Sequence, residues 1–70
     1  MEDPMALELH IISREEFMAL RQALPAITSE HLFNLYGISE NTWRRLREGR
    51  GVRRSTLDRI RARYARIHQN

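Results

Sequence analysis

The 70-residue sequence predicts an all-α fold of four helices with a short β-strand at its N-terminus. Three observations carry this reading. After residue 13, apolar residues recur at helical spacing in four stretches, each opened by a Ser or Thr able to cap a helix. The first three stretches are closed by Pro25, Gly37 and Gly49. Period-two alternation is confined to residues 7–11.

Taken in order, residues 1–5 are polar and broken by Pro4. Leu7, Leu9 and Ile11 then alternate with Glu8 and His10, as in a half-buried strand. A lone strand leaves its backbone groups unpaired, and no second strand is visible in the sequence. The segment is therefore expected either to lie on the helices as extended loop or to pair with its own copy across a two-fold axis. Ser13 opens the first helix, with Glu16 three residues on completing a capping box. Phe17, Leu20 and Leu24 share its apolar face.

The second helix starts from Thr28 or Ser29 and carries Leu32, Phe33, Leu35 and Tyr36 as its apolar set. Ser39 caps a third helix over 40–48, anchored by Trp43 and Leu46, and Gly49 suits its C′ position. Residues 50–54 read as a short basic linker. Ser55, with Asp58 at N3, is expected to cap a last helix running to about His68. Its seam is Leu57, Ile60, Tyr64 and Ile67, with Arg59, Arg63 and Arg66 on a solvated face.

Charge sharpens the picture. Every basic residue is arginine, and the distribution is polar along the chain. Residues 1–40 hold two arginines against seven acids, a net −5, whereas residues 41–70 hold ten against two, a net +8; together they give the chain's +3. The sign changes between Glu40 and Asn41, at the start of the third helix. The absence of cysteine removes disulfides and thiolate metal sites and fits a reducing, cytoplasmic setting. No apolar run approaches the roughly 20 residues needed to span a bilayer. The acidic first ten residues do not read as a secretory leader. No glycine-rich phosphate loop, metal set or nucleophile–base arrangement is present, and His10, His31 and His68 lack metal-ligand spacing, so neither an enzyme nor a cofactor is expected.

The informative unit is residues 28–57. Two short helices meet at Gly37-Ile38-Ser39, and glycine permits the positive φ that such a turn demands. Leu32, Tyr36, Ile38, Trp43 and Leu46 are spaced so that two steeply crossed helices share one apolar wedge, the geometry of a helix-turn-helix. The segment Gly-Ile-Ser-x-x-Thr-Trp-x-x-Leu-x-x-Gly-Arg at 37–50 resembles that of the lambda-type repressor, Cro and xenobiotic-response-element-like regulators, a likeness extending over residues 14–67.

The resemblance implies that Glu40, Asn41, Thr42 and Arg45 face base edges, while Arg44, Arg50, Arg53 and Arg54 grip phosphate. The chemistry of these side chains agrees: asparagine pairs bidentately with adenine, arginine with guanine, and glutamate accepts from cytosine N4. A planar arginine fork also suits phosphate. The sequence departs from the family at Phe33, where a small residue is usual, so the ring is expected to splay the helix pair or turn elsewhere. The family's fifth helix, which builds its dimer interface, has no counterpart, and Leu7, Leu9 and Ile11 are expected to replace it.

The expectation is a dimerising N-terminal arm over 1–12 and a DNA-binding domain over 13–70. The protein would be a homodimeric, nucleoid-associated repressor of double-stranded DNA, with half-sites about 34 Å apart. It would need neither a membrane nor a small-molecule cofactor. The same charge pattern also fits a protein-interaction module, such as an antitoxin or phage-type adaptor, or a nucleoid-type DNA binder without sequence choice.

Overall fold

The computed structural model describes residues 9–68, which form a mainly helical fold with one two-stranded sheet. Helix α1 (Arg14–Gln22) begins where Ser13 Oγ accepts the Glu16 N–H at 3.0 Å. The reciprocal half of the expected capping box is replaced: the Glu16 carboxylate takes two hydrogen bonds, of 2.8 and 3.0 Å, from the Arg61 guanidinium. Those bonds hold its carboxyl below the usual carboxylate range. Thr28 caps α2 (Ser29–His31), accepting the His31 N–H at 3.2 Å.

The chain then widens into a π-helical turn over Leu32–Tyr36. Gly37, at φ 70°, ends the turn with its N–H directed at the Leu32 and Phe33 carbonyls. Leu32 and Tyr36, four residues apart, take the two inward places and are fully buried. Phe33 lies one step round the helix and therefore faces outward, 68% exposed. This corrects its placement in the apolar set of the second helix: the ring turns away from the helix pair.

Ser39 caps α3 (Glu40–Arg47), accepting the Thr42 N–H at 3.3 Å. The helix closes in a Schellman arrangement, with Gly49 N–H bonded to Leu46 O and Arg50 N–H to Arg45 O. Trp43 and Leu46 are buried. The Trp43 ring lies 4.7 Å from Phe17 and 6.5 Å from Tyr36, measured between centroids, so one indole joins α1, the π turn and α3.

The expected basic linker contains a strand. Val52–Arg53 (β2) pairs antiparallel with Leu9–His10 (β1), Leu9 opposite Arg53 and His10 opposite Val52. The N-terminal strand thus finds its partner within the chain, which corrects the expectation of a loop or of a strand paired only with a second copy. Its phase is corrected too: Ile12 and Val52 are buried, whereas Leu9 and Ile11 are 53% and 67% exposed. Leu7 lies outside the described residues.

Because Arg53 is still extended (φ −66°, ψ 148°), α4 (Arg54–Ile67) starts directly at Arg54. Ser55 therefore sits inside the first turn, and no side chain caps this helix, contrary to the expected Ser55 cap. Leu57 and Ile60 close the core, with Tyr64 and Ile67 packed at its edge.

Candidate nucleic-acid interface

Two buried side chains decide which face α3 presents. Trp43 and Leu46 bind it to the core, so the intervening polar residues are turned outward. Glu40 and Asn41 are exposed in its first turn, while Thr42 and Arg45 are half-buried one turn apart. Thr42 Oγ1 lies 3.4 Å from Ser39 Oγ, which holds the hydroxyl close to the helix start.

Thr42 and Arg45 line one side of a shallow depression of about 380 Å³ whose other walls are Leu9, Gly51, Val52, Arg53 and Thr56. Three of the residues singled out in the sequence, Thr42, Arg45 and Arg53, are therefore brought together by β2. Arg44 faces elsewhere. With Glu40 and Arg47, at successive helical spacings, it lines a second depression of about 290 Å³ near Ile27. The eight residues expected to form one surface are thus divided between adjacent sides of α3 and the segment that follows it.

The arginines differ in how they are held. The Arg45 guanidinium donates from Nε and Nη2 to the Gly51 carbonyl, both at 3.2 Å. Arg50 lies 3.6 Å from Glu48, and Arg54 4.0 Å from Asp58, both as exposed pairs. Such pairs are worth under about 1 kcal/mol and yield readily to a competing anion. Arg53 and Arg54 flank the first turn of α4, whose N–H groups carry no side-chain cap and form the positive end of the helix dipole.

Two arginines outside the predicted set have structural partners. Arg61 clamps α4 to α1 through Glu16, and Arg59 Nη1 donates to the Gly37 carbonyl at 2.7 Å, closing the turn before α3. Sequence reasoning missed Leu9 and Gly51, which β1–β2 pairing brings to the site, and Thr56, which enters from the first turn of α4. A glycine inside a basic linker was the one available sign of close backbone approach. Among the described residues, no group of three His, Asp or Glu is placed to hold a metal, and no helix is long and apolar enough to cross a membrane.

No family model, curated protein or solved structure matches the chain.

Proposed function

We propose that this protein is a sequence-specific double-stranded DNA-binding regulator, acting as a repressor, with a helix-turn-helix formed by α2, the π turn, Gly37-Ile38-Ser39 and α3. The observation that carries the reading is the single depression in which Thr42 and Arg45 of α3 meet Arg53 and the uncapped start of α4. An α-helix fits the major groove, where donors and acceptors distinguish all four base pairs. Asn41, Thr42 and Arg45 supply the pairing groups, and Glu40, in the same first turn but on the side shared with Arg44 and Arg47, would accept from cytosine N4.

Phosphate is gripped by different chemistry. Arg50, Arg53 and Arg54 are exposed guanidinium groups, and the first turn of α4, which no side chain caps, adds a helix-terminus anion site beside them. Arg44 extends the grip to the neighbouring side of α3. A homodimer would place two α3 helices in successive major grooves, and occupation of a promoter would block transcription.

The reading is tested by the salt dependence of duplex binding, measured by fluorescence anisotropy. Four arginines per protomer neutralise about eight phosphates in a dimer, so log K should fall against log salt with a slope of roughly −7. A slope near zero contradicts phosphate-driven binding and favours a module that engages protein.

A further inference from the structure

Arg45 is the only residue among the proposed base readers whose charged group is already committed, and the way it is committed is informative. A guanidinium has five N–H donors arranged as two forks, one side-on through Nε and Nη2 and one end-on through Nη1 and Nη2. In the free protein the side-on fork is occupied by one acceptor, the Gly51 carbonyl, at 3.2 Å on both bonds. Three donors, including the whole of Nη1, remain.

The acceptor is fixed by the β1–β2 pair. Gly51 precedes β2, and Leu9 of β1 crosses so close that a Cβ at position 51 would meet the Leu9 Cβ at 2.6 Å and the His10 backbone nitrogen at 3.6 Å. Real Cβ atoms do not approach at 2.6 Å, and the Leu9 Cβ cannot swing aside as the tip of a long side chain would. Any side chain at 51 must therefore shift the backbone, and with it the carbonyl that Arg45 engages.

We infer that Gly51 and Leu9 form a buttress that sets the orientation of Arg45 before it meets its target, leaving the end-on fork for the O6 and N7 acceptors of a guanine. The inference rests on the DNA-binding reading above and makes Gly51 a positioning residue. An arginine held in one orientation loses less side-chain freedom on binding and discriminates more sharply between bases, since a wrong base meets a fork that cannot rearrange. It also gives the N-terminal strand a role in recognition although it lies far in sequence from α3.

Two measurements on the full chain test it. In the free protein, the Arg45 Nε–H should exchange with solvent much more slowly than that of Arg47, which is exposed on the same helix; equal rates would overturn the buttress without any substitution. In duplex binding, G51A should reduce the preference for the selected sequence over its single guanine replacement by about tenfold, with affinity for random duplex changed less than twofold. L9G in the G51A background, which moves the missing Cβ across the β1–β2 pair, should restore both preference and slow exchange.

Preference unchanged in G51A, an equal loss on all duplexes, or failure of L9G to restore a folded G51A would each overturn the inference. Where G51A does not fold, R45K keeps the charge but removes the fork and should lose the same preference; its retention is contradictory. If the wild-type chain prefers no duplex, the DNA reading falls and the specificity role with it, whereas slow Nε–H exchange would still identify the buttress as structural.

Discussion

The Tyr36 ring is fully buried, yet its hydroxyl donates to the Leu20 carbonyl at 2.7 Å, a group in the last turn of α1 that the helix itself leaves without an intrahelical donor. Burial first, and the nearby Tyr64 second, push the hydroxyl up to about 12. A folded-state value raised above the unfolded one means that the contribution is complete below about pH 10 and is lost as pH rises through the folded value. Urea melts should therefore show stability declining between about pH 10 and 12, and Tyr36→Phe should remove that component. At neutral pH the same substitution strands the Leu20 carbonyl and should cost about 1–3 kcal/mol. Individual residues were legible where their partners are local. The caps at Ser13, Thr28 and Ser39 each bond three residues ahead, so spacing alone identifies them. Arg45 was legible as a polar residue on the exposed side of α3, but its bond to Gly51 was not, because a strand had first to bring that carbonyl back.

At the scale of elements, helices with repeating apolar positions were readable and the sheet partner was not. A two-residue strand such as Val52–Arg53 has no period to detect, and its basic composition reads as linker. The missing partner then misassigned both the start of α4 and the exposed side of β1. Phe33 illustrates a different limit: its spacing fits the apolar set, but Leu32 and Tyr36 fill the available inward places. Long-range clamps are equally hidden. Glu16 and Arg61 stand 45 residues apart and join α1 to α4 through a two-bond pair. Glu16→Gln should lower stability by about 0.5–1 kcal/mol at neutral pH. Because Arg61's hydrogen bonds lower the folded-state value of Glu16, this contribution is present above the ordinary carboxylate value and disappears as pH falls through the folded one. Chemical denaturation should show the wild type's advantage over the variant shrinking as pH falls below the ordinary carboxylate value of about 4.3.

For the whole molecule, the division of charge is the feature that sequence reading located most directly. The basic C-terminal half supplies the exposed arginines around α3 and the start of α4, whereas Glu15 and Glu16 of the acidic half sit at the N-terminus of α1, where they suit the helix dipole. Assembly belongs to this scale as well. The β1 edge already pairs within the chain, but Ile11 remains 67% exposed beside it. In the proposed homodimer, Ile11→Arg should leave helicity unchanged by circular dichroism and reduce the mass measured by light scattering to roughly half. An unchanged dimeric mass would place the interface away from this segment.

The central claim is that α3 reads a particular DNA sequence. Selection of bound duplexes from a random pool, carried out with the full chain, tests it most directly. The account predicts enrichment of a recurring motif, with Asn41→Ala losing preference at a single position within it. Recovery of a pool with no enriched sequence would contradict it.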